Sequence, residues 1–173
     1  ISSTTKLYNP KHKDWDYALI EQLGLPKKLL KTISDPGDTL GALSADVISA
    51  TGLSRTKVIT VAGHDTASAV AAVPSQAKTP AFLSSGTWSL MGLELQEPVI
   101  NEQSFADAFT NEIGINGTVR FLKNICGLWL IQESKRFWLD EGQDVAYAKM
   151  ASLASEAESF RSLINPDDPR FIE

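Results

Sequence analysis

Two stretches of this sequence carry residues whose types and spacing could do chemistry. The first is VITVAGHDTASAV, residues 58–70, where an apolar run ends at Gly63 and His64 and Asp65 follow. A carboxylate at the carboxyl end of a strand faces the crevice in which α/β proteins bind ligands. From there Asp65 could take a proton from a substrate hydroxyl. Gly63 admits a ligand close to the backbone, and the small residues after Asp65 leave it room. The plainer reading of Asp65 is a helix N-cap, accepting a backbone N–H at the start of TASAVAAV. Capping acids are common, and local sequence alone favours that reading. His64 likewise reads first as a hydrogen-bonded structural residue.

The second stretch is AFLSSGTWSLMG, residues 81–92, where Ser-Ser-Gly-Thr separates two apolar runs. As structure it is a glycine turn with Ser and Thr satisfying its hydrogen bonds. As a site it is a phosphate cradle, since backbone N–H groups and hydroxyls in such a turn bind phosphate oxygens without a lysine. The acid after a strand and the Ser/Thr-Gly turn about two dozen residues later make a more specific pair, one that would serve as the base and phosphate clamp of a sugar kinase. Other chemistries lack their residues. No GxxxxGK[ST] and no GxSxG occurs. His12, in the charged KHK turn, is far from His64, and no HxxxH spacing supports a metal site. Cys126 is the single cysteine, so no intrachain disulfide forms; it lies in the apolar ICGLWLI and reads as a small core residue. Trp88 and Trp129 also sit in apolar runs and read as packing.

These residues need strands and helices to hold them. The chain has 173 residues, 43% hydrophobic and 21% charged, as in an ordinary globular protein, with a formal net charge of −5. No Lys/Arg run suits nucleic acid, and no segment is apolar for long enough to cross a bilayer. A reducing, cytoplasmic location fits the single cysteine. ISSTTKLYNPKHKDWD predicts an extended segment with a turn at Asn9-Pro10. Asp14 predicts the cap of a helix that stops at Gly24. LPKKLLKTI predicts a short helix, DPGDTLGAL a loop, and SADVISATGL a helix ended by Gly52. KVITVAG predicts a buried strand and TASAVAAV a tightly packed helix closed by Pro74. AFLSS and WSLMGLEL predict strands. Residues 101–111 are ambiguous. Asn116-Gly117 predicts a tight hairpin. NICGLWLIQESKRFWLDEG predicts a long helix, and Asp144 the cap of a second one. The class is α/β, with PSQAKTP as the candidate domain boundary.

AGHDTASAV, AFLSSGTWSLMG and LKNICGLWLIQES resemble the FGGY family of carbohydrate kinases over nearly the whole chain. That resemblance implies an actin-like ATPase (ribonuclease-H-like) fold of two domains closing on a cleft. Residues 1–76 would be the C-terminal part of the first, sugar-binding domain. Residues 77–173 would be the N-terminal part of the second, nucleotide-binding domain. It implies ATP-dependent phosphorylation of L-rhamnulose at its 1-hydroxyl, with Mg²⁺. Asp65 would be the general base, and His64, Asp65, Thr66 and Asn124 would contact the sugar. Gly86, Thr87 and Gln132 would contact ATP. On local grounds alone, Asn124 reads as a helix cap and Gln132 as an exposed polar residue.

The family's N-terminal phosphate-binding turn, its C-terminal adenosine-holding turn and the FGGY signature lie outside this stretch. The expectation is therefore a central piece of a kinase, inactive alone and needing the remaining segments. Its apolar faces would be exposed or would pair with another copy. Two alternatives stand beside it: a fuculose or xylulose kinase of the same family, and a non-catalytic sugar- or nucleotide-binding module.

Overall fold

The structure, a computed structural model, describes residues 2–171. They fall into two compact units. One comprises the chain up to Phe82 together with Gly92–Lys123; the other comprises Leu83–Met91 together with the chain from Asn124 onward.

In the first unit, Ser2–Thr5 form a 3-10 turn, not the extended segment expected there. Strands β1 (Tyr8–Asn9) and β2 (Asp14–Trp15) then pair antiparallel. Asn9 opens the turn between them, its side-chain oxygen accepting the N–H groups of Lys11 and His12. Helix α1 (Tyr17–Gln22) is capped by Asp16, whose carboxylate accepts the Leu19 N–H at 3.1 Å. Asp14, the expected cap, is occupied in β2. Helix α1 ends as predicted, with Gly24 at φ +66° donating to Glu21 O. LPKKLLKTI yields only a 3-10 turn, Lys27–Leu29.

The expected loop DPGDTLGAL is half strand. Asp35–Asp38 make the turn, with the Asp38 N–H on Asp35 O. Residues Thr39–Ala42 then form β3, antiparallel to β4 (Lys57–Ile59). Composition pointed to a loop, but the backbone groups find partners in β4. Helix α2 (Ala45–Thr51) lies between the two strands and ends on left-handed Gly52. KVITVAG is a shorter and more open strand than its apolar residues predict. Ile59 is 47% and Val61 72% exposed. In a two-stranded ladder β4 has a single strand neighbour among the described residues, and of its three residues Val58 alone is half-buried. Helix α3 (Asp65–Ala71) follows and buries Ala67 and Val70.

Strands β5 (Ala81–Ser84), β6 (Trp88–Leu95), β7 (Thr110–Ile113) and β8 (Val119–Cys126) form one sheet in the order β5-β6-β8-β7. The ambiguous 101–111 region resolves into helix α4 (Glu102–Ala106), opened by an Asn101–Ser104 capping box, and then β7. Asn116 and Gly117 both have positive φ, the pattern of the hairpin turn that the Asn-Gly pair predicts. The core of the first unit gathers here, with Val119 and Leu122 buried and Phe109 stacked on Phe121 at 4.5 Å.

In the second unit, β8 runs to Cys126, a buried free thiol. Asn124–Cys126 are thus the end of a strand, where a helix start was expected. Helix α5 begins only at Trp129 and runs to Asp140. Helix α6 (Tyr147–Glu156) has Ala146 at its cap position, with no side-chain cap. Asp144, the expected cap, instead pairs with Lys135 Nζ at 2.8 Å. The same ammonium donates to Val145 O and lies 5.6 Å over the Tyr147 ring. One cation thereby ties the α5–α6 connection to both helices. Trp88 is 54% exposed rather than packed.

Candidate active site

The site residues of the first unit stand where the VITVAG segment turns into α3. Gly63 has φ +75°, a value that favours glycine. His64 then occupies the N-cap position in extended conformation and makes no side-chain capping bond. Asp65 is the first helical residue, not the cap that local sequence favours. Its Oδ1 accepts the N–H of the adjacent Thr66 at 2.7 Å and the Thr66 hydroxyl at 3.4 Å. His64 Nε2 lies 3.3 Å from the same oxygen. The Asp65 side chain is 92% exposed, so no capping role withdraws it from a ligand. His64 also edges a cleft of about 440 Å³ whose lining includes Trp15, Thr60, Gly63 and Arg120. The imidazole Nδ1 is buried and has no hydrogen-bond partner among the described residues.

The site residues of the second unit converge on the Ser-Ser-Gly-Thr turn between β5 and β6. Gly86 O accepts the Leu128 N–H at 2.9 Å, and Thr87 O accepts the Trp129 N–H at 3.1 Å. These two carbonyls cap α5, which has no side-chain cap of its own. Two of the donors at the start of α5 are therefore already used inside the protein. A ligand at this turn meets Thr87 and the turn backbone instead. Gln132, one turn into α5, donates from Nε2 to Thr87 Oγ1 at 3.2 Å. Spacing alone did not bring Gln132 and Thr87 together; the strand-turn-helix joint does. Asn124 is on β8 and exposed, with no side-chain partner among the described residues. Its position in a strand removes the helix-cap reading.

Sequence reasoning missed Gly127, which was absorbed into the supposed long helix. A Cβ at this position would collide with Ser89 Oγ and lie 2.7 Å from Gly86 O. Only glycine lets the start of α5 close against the turn. The signal was present in Cys-Gly-Leu-Trp, a glycine interrupting an apolar run. Gly127→Ala is expected to cost about 1–3 kcal/mol through overpacking. It should also break the Thr87–Gln132 hydrogen bond. Thermal unfolding and a crystal structure of the variant check both; an unshifted midpoint with the bond intact would refute the close-approach reading.

Among the described residues, no group of three or more His, Cys, Asp or Glu is placed to hold a metal ion. Nor is any helix long and apolar enough to cross a membrane.

Known proteins resemble this chain along its length. The pattern of the FGGY family of carbohydrate kinases, C-terminal domain, matches residues 81–173. A rhamnulokinase of Bacteroides thetaiotaomicron is 46% identical over 171 residues, covering 99% of this chain and 34% of that protein. Rhamnulokinases of Enterococcus faecalis and Bacillus subtilis are each 40% identical, covering 99% and 98% of this chain and 34% of their own length. The chain thus spans about a third of the length of the curated relatives it matches.

Proposed function

Because the chain belongs to the FGGY family of carbohydrate kinases, we propose that it is the central part of an enzyme that transfers the γ-phosphoryl group of ATP to the 1-hydroxyl of L-rhamnulose. The FGGY C-terminal domain has the actin-like ATPase fold. On this reading residues 1–76 close the sugar-binding domain and residues 77–173 open the nucleotide-binding one. The observation that carries the reading is the identity with three rhamnulokinases over almost all of this chain. The geometry supports it in two places. An exposed Asp65, free of a capping role, opens α3, and the Thr87 hydroxyl of the Gly86-Thr87 turn is hydrogen-bonded to Gln132.

Phosphoryl transfer passes through a loose transition state, so the protein mainly positions groups and balances charge. Asp65 takes the proton of the attacking hydroxyl as the new O–P bond forms. His64, Thr66 and Asn124 hold the sugar. Gly86 and Thr87 meet the phosphates, and Gln132 fixes the Thr87 hydroxyl toward them. The nucleotide fits this turn because its backbone and hydroxyl groups are compatible with phosphate oxygens. Mg²⁺ would neutralise phosphate charge while keeping most of its waters, held by ATP rather than by a carboxylate cluster of this chain. Domain closure would exclude water from the reacting atoms. The enzyme would work in the cytoplasm, where ATP is supplied, and would need the kinase segments beyond this chain for a complete site.

The test is ADP release by the full-length protein with ATP, Mg²⁺ and, in parallel, L-rhamnulose, L-fuculose, D-xylulose and glycerol. Turnover dominated by L-rhamnulose is expected. Dominance of another sugar would reassign the substrate. Sugar binding without ADP release from any of them would leave a binding module.

A further inference from the structure

We propose that Arg120 is a specificity-determining residue, whose Nη1 donates to the C3 or C4 hydroxyl of the acceptor sugar inside the cleft that His64 edges; the inference rests on the kinase reading above. Three buried side-chain polar atoms have no partner among the described residues: His64 Nδ1, Thr110 Oγ1 and Arg120 Nη1. Two of them belong to residues of one cleft. His64 and Arg120 both line the space of about 440 Å³ within the first unit. That volume lies in the range of small-molecule sites. A buried polar atom without a partner is costly, and a ligand that supplies the partner removes the cost.

The chemistry of the ligand follows from what Arg120 has left to offer. Its side chain is 3% exposed. Nη2 donates to Glu112 Oε2 at 2.7 Å and Nε to Ile113 O at 3.4 Å. Both bonds hold the guanidinium to β7, and Nη1 is the nitrogen left over. It can only donate, so the ligand must present an acceptor. Glu112 already balances the charge, and Glu94 adds to the negative field. An anionic ligand would overbalance the cation; a hydroxyl oxygen would not. Trp15, Ile33, Val61 and Ile113 give the cleft an apolar wall. A donor set among apolar groups suits a small neutral molecule that carries hydroxyls and an apolar end. L-Rhamnulose is such a molecule, ending in a methyl group at C6. Its O1 goes to the phosphoryl group beside Asp65, with C2 next to it, and its C5 hydroxyl can close the sugar ring. The C3 and C4 hydroxyls remain to meet Arg120.

The experiment titrates L-rhamnulose calorimetrically into the full-length protein, without nucleotide. Arg120→Lys keeps a cation for Glu112 but loses the guanidinium fork. It should raise the sugar Kd about 10- to 100-fold, the worth of one hydrogen bond to a charged group. The ATP Kd should stay within about threefold, because Gly86, Thr87 and Gln132 meet ATP on this reading. Deoxy sugars separate a contact from mere packing. In the unaltered protein, either 3-deoxy- or 4-deoxy-L-rhamnulose should bind about 10- to 100-fold more weakly than the parent sugar. In Arg120→Lys that same analogue should bind no more weakly than L-rhamnulose, because the partner of the missing hydroxyl is already gone. If the lysine variant does not fold, Glu112→Met combined with Arg120→Met, which removes both charges together, should show the same pattern. An unchanged sugar Kd in the folded variant would overturn the proposal. So would deoxy losses that stay as large in the variant as in the unaltered protein. Failure of the kinase reading looks different: no ADP release by the unaltered protein with any of the sugars. The titrations would then still decide on Arg120, and the absence of any sugar binding would overturn its role as well.

Discussion

Asp65→Asn in the full-length protein is expected to bind the sugar as before and to lose about 10²- to 10⁴-fold in kcat, the usual contribution of a positioned general base. The exchange keeps size and shape. The side-chain oxygen can still accept the Thr66 N–H that Oδ1 accepts at 2.7 Å. An amide oxygen accepts a hydrogen bond, yet it does not take a proton at neutral pH. The variant therefore separates orientation from basicity. Because the side chain is 92% exposed, folding should change by no more than about 0.5 kcal/mol, and a loss of turnover cannot be blamed on unfolding. Calorimetric titration with the sugar and steady-state ADP release make the two measurements. Turnover equal to that of the unaltered protein would remove Asp65 from the role of base.

Where the sequence was legible, a short-range steric rule decided the structure. Asn116-Gly117 makes its hairpin because both positions need positive φ. Gly24 and Gly52 end helices for the same reason. Legibility failed where two local solutions compete. Asp14 and Asp16 both suit a cap, and the choice of Asp16 depends on β2 pairing with β1. Asp144 suits a cap, but Lys135 offers it an ion pair. The openness of Ile59 and Val61 could not be read at all. Apolar composition says what a strand would bury, whereas exposure depends on what lies against it.

The candidate site divides in the same way. The chemistry of Asp65 and of the Ser-Ser-Gly-Thr turn is visible in the residue types. The freedom of Asp65 from capping is visible only in the backbone, which gives the N-cap position to His64. Gln132 reaches Thr87 because the carbonyls of Gly86 and Thr87 seat the start of α5. That contact spans a strand-turn-helix joint whose closing residue, Gly127, has no chemistry of its own.

The largest expected effect on stability lies away from these groups, at the cross-strand pair Glu112–Arg120. The two residues are register partners in the β7–β8 hairpin. Arg120 Nη2 donates to Glu112 Oε2 at 2.7 Å, with side-chain exposures of 3% and 12%. Nε donates to Ile113 O at 3.4 Å, while Nη1 is buried without a partner among the described residues. Burial pushes the guanidinium below its ordinary pKa, and Glu112 pulls it back up. Glu112→Met removes the one carboxylate bonded to that buried charge and leaves it only the weaker field of Glu94, so the hairpin should lose about 3–5 kcal/mol of local stability. Amide hydrogen exchange along β7 and β8 in the full-length protein reads this loss directly. Replacing both residues by Met should recover most of it, because the double variant removes the cost of desolvating two ions along with their attraction. A loss under about 1 kcal/mol in the single variant would mean that water reaches the pair, as at a surface salt bridge. If the double variant matches the unaltered protein, the pair adds little net stability. Its use would then be register: a slip by one residue would set Arg120 opposite Asn111 or Ile113 and strand its charge in the core.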